Sequence, residues 1–295
     1  MSEGEVLPNA DNRVIHPDRR IAVRTGERQY HIELGPGEVA EYILLPGDPD
    51  RTSRIAAHFD SIELERRHRE FASATGTLRG QRITVISTGI GTDNVEIVMA
   101  EILAIVERPT IIRVGSCGAL QPEMRLGDLA ISTGAVRLET TTSYFVSDGY
   151  PAIAHYEAVA ALVEAVERLG HRHHLGITAT APGFFGAQGR PIPQLPIRYP
   201  DLADDMAKQR VMNFEMEASA LLVLAALAQC RAGVVCAVYA NRTTGEFISG
   251  NIQEDAEAAC IETGLEGLLI LADMDRQKRA ASTDNWRPSL WQHSV

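Results

Sequence analysis

The chain has 295 residues, 28 basic against 39 acidic side chains, a formal net charge of -11 and a pI near 5.3. An acidic protein of this kind is a poor nucleic-acid coat and a poor partner for an anionic membrane surface. At 45% hydrophobic and 23% charged residues it has a soluble globular composition, and it is long enough to bury a core without disulfide or metal staples. Only Lys208 and Lys278 are lysines, so arginine supplies nearly all the positive charge. Either genome composition or a local anion site inside a negative protein accounts for that bias. Cys117, Cys230, Cys236 and Cys260 show no CxxC spacing, which points to a reducing, cytoplasmic setting. No secretory signal or membrane helix is expected, because no apolar run is long enough.

Residues 1–25 are polar and aperiodic and read as a flexible N-terminal extension or interface arm. From residue 42 short apolar runs alternate with helical periodicity. YILL (42–45) reads as a strand entering the turn Pro46-Gly47-Asp48-Pro49. Residues 83–87 form a second strand, ending at Thr88-Gly89-Ile90-Gly91 and followed by a helix over 94–106. Residues 110–114 form a third, closed by Gly115-Ser116-Cys117-Gly118. Further strands are expected at 129–133, 175–180 and 233–240, and helices at 156–169, 218–228 and 254–274. Residues 276–295 read as a loose polar tail. The alternation predicts one α/β domain over 26–275, with a mixed, mostly parallel twisted central sheet flanked by helices. In such sheets ligands sit at the carboxyl ends of strands, so the glycine-rich exits at Gly47, Gly89 and Gly115 are the first places to seek chemistry.

Gly47-Asp48-Pro49-Asp50-Arg51 suits a phosphate, through exposed backbone N–H groups and a guanidinium, although on this segment alone a plain turn with a surface arginine is the favoured reading. Arg113 lies inside an apolar strand. It must meet either an internal carboxylate or an anionic ligand, since an unpaired arginine there is costly to bury. Ser116 adds a hydroxyl nearby, and Arg69 precedes another strand. In Phe214-Glu215-Met216-Glu217 the two carboxylates share a side if the segment is extended, which suits paired ribose hydroxyls; a helix N-terminal acid is the simpler alternative. Gln188-Gly189-Arg190 offers an amide and a guanidinium toward a planar ligand. No metal site stands out: His171, His173 and His174 read as a solvated helix end. Walker A, GxGxxG and GxSxG patterns are absent in the contexts they require.

In this order and spacing, LPGDPDR (45–51), HREF (68–71), STGIG (87–91), RVGSCGA (113–119), QGR (188–190), FEMEA (214–218) and NRT (241–243) resemble the nucleoside phosphorylase-I family, and within it the bacterial uridine phosphorylases. The resemblance covers the chain from about Tyr30 to the end of the last helix. It implies the single-domain phosphorylase/hydrolase-like fold and phosphorolysis of uridine, with deoxyuridine or thymidine as further substrates. Phosphate would be bound by Gly47, Arg51, Arg113 and Ser116, with Arg69 reaching in from a neighbouring subunit. Ribose would be held by Met216, Glu217 and, across the interface, His31. The base would meet Phe184, Gln188, Arg190, Arg242 and Gly118, and Arg113, Glu217, Gln188 and Arg190 would carry catalysis. It further implies a hexamer built as a trimer of dimers with shared sites, with inorganic phosphate as co-substrate and no cofactor. A monovalent cation beside Glu70 is left open, since Asn94 replaces the serine usual there. Ser116 and Cys117 depart toward the purine-cleaving pattern and Phe214 replaces a tyrosine usual in uridine phosphorylases, whereas Asn241 replaces the aspartate that protonates purines. A purine nucleoside phosphorylase, a hydrolytic nucleosidase and a non-enzymatic nucleoside-binding protein are the competing readings.

Overall fold

In the computed structural model, residues 24–25 and 28–291 are described, so the expected N-terminal extension lies almost wholly outside them. A two-residue ladder joins β1 (Arg24–Thr25) to β2 (Arg28–Gln29). The chain then continues through β3 (Tyr42–Pro46), α1 (Pro49–Ala56), β4 (Ser61–His68), β5 (Phe71–Leu78), β6 (Gln81–Ile86) and α2 (Thr92–Leu103). Next come β7 (Thr110–Ala119), β8 (Leu129–Arg137), β9 (Ala152–Ile153), α3 (Tyr156–Leu169), β10 (His173–Thr180) and α4 (Leu202–Lys208). The chain closes with β11 (Asn213–Glu215), α5 (Ala218–Leu227), β12 (Arg231–Asn241), β13 (Glu246–Phe247) and α6 (Asn251–Ala280).

One mixed sheet carries the fold, in the order β13-β12-β8-β10-β11-β7-β3-β6-β5-β4. Because β12 also pairs with β7, strands β7, β12, β8, β10 and β11 close into a small ring, from which β3, β6, β5 and β4 extend as an open sheet. Pairing is parallel through β6, β3, β7 and β12, and antiparallel at the β4–β5–β6 meander and where β12 meets β8. Two apolar layers cover the faces. α2 and α5 pack on one, through Val98, Met99, Leu221 and Val223; α3 and α6 pack on the other, through Leu162, Leu265 and Leu268. α5 is apolar all round and buried from Ala218 to Ala225, as a helix enclosed by its neighbours must be.

Three expectations are corrected. The segment Gly115–Gly118 does not end a strand: β7 runs straight through it to Ala119. Glycine is needed there by close approach, not by a turn, since a Cβ on Gly115 would lie 2.8 Å from Arg113 Nη2 and 3.1 Å from Cys236 Sγ. Residues 276–291 are not loose. α6 continues to Ala280, and Trp286 is buried, its indole N–H donating to Gln277 and its backbone N–H to Glu157. The histidines belong to the start of β10 and its approach, where His174 contacts Asp128 at 2.7 Å.

β7 also makes the site possible. Its first half pairs with β3 as far as Pro46 opposite Val114, and β11 takes over that side from Phe214 opposite Gly118. The strand edge at Gly115–Cys117 is therefore left open at a change of partner, where α/β sheets bind ligands.

Candidate active site

A cavity of about 690 Å³ opens at that change of partner. Gly47 and Arg51 line it from the β3–α1 turn and the start of α1, Arg113 and Gly115 to Gly118 from β7, Gln188 and Arg190 from the loop after β10, and Phe214 to Glu217 from β11 and the residues that follow it. These four segments, far apart in sequence, thus converge on one space.

Arg113 sits 5% exposed between Leu45 of β3 and Val234 of β12. Its Nε donates to Glu215 Oε2 at 3.2 Å, and its Nη2 donates to Glu217 Oε2. Burial opposes its charge, but the carboxylates of Glu217 and Glu215 overcome that and hold its pKa above the ordinary arginine value. The sequence left an internal carboxylate and an anionic ligand open as partners. The structure supplies two carboxylates and also places the guanidinium against the cavity.

The two glutamates divide the work. Glu215 is fully enclosed: its Oε2 accepts the N–H groups of Glu217 and Ala218, both at 2.8 Å, and its Oε1 accepts Thr180 Oγ1 at 2.6 Å. It fixes the start of α5 and orients Arg113. Burial pushes its pKa up, partly countered by Arg113. Glu217 lines the cavity, and its Oε1 accepts the Gly91 N–H at 2.7 Å. That N–H is presented by a Gly89–Gly91 turn whose φ angles of 75° and 98° demand glycine.

Arg51 is also buried, so the surface-arginine reading of its turn is overturned. Asp48 caps α1 by accepting the Asp50 N–H at 3.0 Å, and Pro49 occupies the first turn, which aims Arg51 inward. Its Nη1 donates to Val114 O and its Nη2 to Glu257 Oε2, each at 3.1 Å, while its Nε is buried without an acceptor among the described residues.

At the other end, Gln188 is buried and the Arg190 guanidinium lies 4.3 Å from the centre of the Phe184 ring. Arg190 Nε is buried without a partner among the described residues, and burial together with the Arg242 charge lowers the Arg190 pKa. Arg242 does not itself line the cavity; its Nη1 donates to Gln188 O at 3.1 Å and so steadies the loop. Gly118 leaves room beside both, since a Cβ there would be 3.8 Å from each. Ser116 and Met216 line the cavity as expected.

Arg69 and His31 do not join these residues. Arg69 donates to Tyr30 Oη at 3.2 Å and stands over the Tyr30 ring, while His31 Nδ1 lies 2.7 Å from Glu101 Oε1. They form a cluster of their own outside this chain's cavity.

Sequence reasoning missed Tyr239, which lines the cavity from within an apolar strand, and Phe247 on β13. Nothing in their spacing distinguishes them from core and loop positions. Burial also raises the thiols of Cys117, Cys236 and Cys260, the last to about 11, so none is an activated nucleophile. Asn241 is fully used by the backbone: its amide nitrogen donates to Gln121 O and Met124 O, and its oxygen accepts the N–H groups of Thr243 and Thr244.

Comparison with known proteins agrees with this geometry. Residues 41–263 match the family model described as the phosphorylase superfamily. A uridine phosphorylase of Thermococcus kodakarensis is 45% identical over 264 residues, covering 89% of this chain and 93% of that one. A guanosine phosphorylase of Halorubrum lacusprofundi is 34% identical over 218 residues, covering 74% and 86%. A Trypanosoma brucei nucleoside phosphorylase, whose crystal structure is described as showing uridine phosphorylase activity, superimposes with a TM-score of 0.79 at 26% identity, covering 84% of this chain and 99% of that one. The chain belongs to the phosphorylase superfamily, among the nucleoside phosphorylases.

Proposed function

We propose that this protein cleaves uridine with inorganic phosphate, yielding uracil and α-ribose-1-phosphate. The observation that carries the reading is one cavity with two arginine-bearing ends: Arg51 and Arg113 held by carboxylates, and Arg190 beside Gln188 and Phe184. A volume of about 690 Å³ suits a nucleoside and a phosphate, with phosphate at the first end, base at the second and ribose between them at Glu217 and Met216.

Phosphate bound by the Gly47 turn, Arg51, Arg113 and Ser116 presents an oxygen to C1′. The new C1′–O bond forms as the C1′–N1 bond breaks, and its electron pair leaves with the base. The phosphate dianion offsets the positive charge on the sugar, and fixing it in line supplies much of the advantage. Negative charge on the uracil carbonyls meets donors of Gln188 and Arg190, a contribution of roughly 10²–10³ in rate for one such donor. The departing base then takes a proton from water. Glu217 accepts from ribose hydroxyls and returns to Arg113 and the Gly91 N–H when the sugar leaves.

Uridine is favoured over purines because Asn241, spent on backbone groups, offers no acid to a purine ring. The guanosine phosphorylase relative and the RVGSCGA segment keep purine cleavage as the second reading. Arg69 and His31, outside this chain's cavity, fit a dimer in which each subunit completes the other's site, within a hexamer. A monovalent cation beside Glu70 stays a proposal, with the Glu70 carboxylate and the Asn94 side chain both at the cavity wall. No cofactor is needed by these steps. No described helix is long and apolar enough to cross a membrane, and a cytoplasmic setting is proposed from the unpaired cysteines.

The test is to incubate the protein with uridine, thymidine and inosine, with and without phosphate, and follow free base. Phosphate-dependent release, fastest from uridine, is expected. Release without phosphate indicates a hydrolase, faster inosine cleavage a purine enzyme, and no turnover a binding protein.

A further inference from the structure

Behind Arg51 lies a carboxylate that the reaction scheme does not use. Glu257 comes from α6, across the helical layer from the β3–α1 turn and 206 residues away from Arg51 in sequence. Its Oε2 accepts Arg51 Nη2 at 3.1 Å and the Tyr239 hydroxyl at 3.3 Å. Its Oε1 pairs with Arg54 Nε, and Arg54 in turn donates to Asp48 Oδ2 at 2.8 Å. Asp48 is the cap that shapes the Gly47 turn. One chain of charge-assisted hydrogen bonds therefore runs from the cap of α1 through Arg54 and Glu257 to Arg51, and from Arg51 to the Val114 carbonyl, next to Arg113 on β7.

The placement matters because Arg51 is a long side chain with several rotatable bonds and is 7% exposed. A buried guanidinium needs a counter-charge, and a flexible one needs fixing before it can bind an anion without a large ordering cost. Glu257 does both from the side, engaging Nη2 while Val114 engages Nη1 and leaving the Nε of this cavity-lining residue without an acceptor among the described residues. Glu257 does not itself line the cavity.

We propose that Glu257 is a positioning residue that sets phosphate affinity by holding Arg51, with Tyr239 and Arg54 holding Glu257. The inference rests on the reading of Arg51 as a phosphate ligand.

The experiment titrates the full-length wild-type, R51Q and E257Q proteins with inorganic phosphate by calorimetry, and measures steady-state kinetics with each substrate varied. Phosphate affinity is expected to fall about tenfold in E257Q, as for loss of a charge-assisted hydrogen bond, while the uridine KM and the kcat at saturating phosphate stay within about twofold. E257D, which keeps the charge on a shorter arm, recovers part of the phosphate affinity. A rise in uridine KM equal to that for phosphate, or unchanged phosphate affinity in E257Q, overturns the proposal. Should E257Q fail to fold, R54Q, which removes the partner of Glu257 Oε1 at a residue outside the cavity lining, decides: weaker phosphate binding with unmoved uridine KM supports it, and unchanged binding contradicts it. The calorimetry needs no turnover, so it decides this point even if uridine is not the substrate. Normal phosphate binding by R51Q, or none by the wild type, removes the premise and the inference with it.

Discussion

Arg113 shows how one residue can answer both to the fold and to chemistry. Glu215 and Glu217 make its burial tolerable, and both stand at the cavity wall. Arg190 is the opposite case, half-buried, with an Nε that has no partner among the described residues and a pKa lowered by burial and by Arg242. Arg190→Ala should therefore cut uridine cleavage by about 10²-fold, as for loss of a donor to a developing anion, with phosphate affinity by calorimetry largely intact. Loss of phosphate binding would place Arg190 in the other subsite. Asn241 makes a prediction of different kind. Asn241→Asp replaces an amide that donates to two carbonyls by an acceptor facing acceptors, so it should destabilise the protein by about 1–3 kcal/mol. That is a fall in Tm of several degrees, and inosine cleavage should not improve.

At the level of elements, legibility followed how local the signal was. The α3 boundaries were readable because amphipathic spacing and a terminating glycine, Gly170 at φ 72°, are local properties. The continuation of β7 through Gly115–Gly118 was not, because it depends on β11 and β12, which lie on either side and arrive later in the chain. The partners of Arg113 were half legible. The need for a carboxylate followed from the strand, and its identity required β11 to fold beside β7. The C-terminal segment was misread for a similar reason: its polar composition hides Trp286 and Trp291, whose burial depends on α3 and α6.

That segment is clamped by Glu157 and Asp275. Glu157 accepts from Lys278, Arg231 and the Trp286 N–H, and Asp275 from Arg231 and Tyr42. Burial opposes ionisation of both carboxylates, but these donors win and hold their pKa values below the ordinary 4.5 and 3.8. The stability they add is complete above those ordinary values and is lost as pH falls through the lower folded-state ones. Both tryptophans of the chain lie in this segment. Tryptophan fluorescence should therefore report its release below about pH 4, ahead of global unfolding, and Glu157→Gln should flatten that phase. A wild-type signal that changes only with global unfolding would contradict the clamp.

For the whole molecule, a chain of net charge -11 places three of its arginines at one cavity, while others, Arg67, Arg79 and Arg276 among them, stand exposed in surface ion pairs. Arg51, Arg113 and Arg190 line the cavity, whereas Arg69 and His31 stand apart with Tyr30. If subunits complete one another's sites, R69A and R113A proteins, each inactive, should regain activity when co-expressed. A site with its own Arg113 and a partner's Arg69 then forms in about a quarter of positions under random pairing. No recovery would confine Arg69 to a structural role. The central claim is that phosphate itself attacks the sugar, and phosphorus-31 NMR of the protein with uridine and inorganic phosphate tests it most directly. A sugar-phosphate resonance growing in step with free uracil, as inorganic phosphate declines, is the predicted result. Uracil appearing while the phosphate signal stays constant would contradict it.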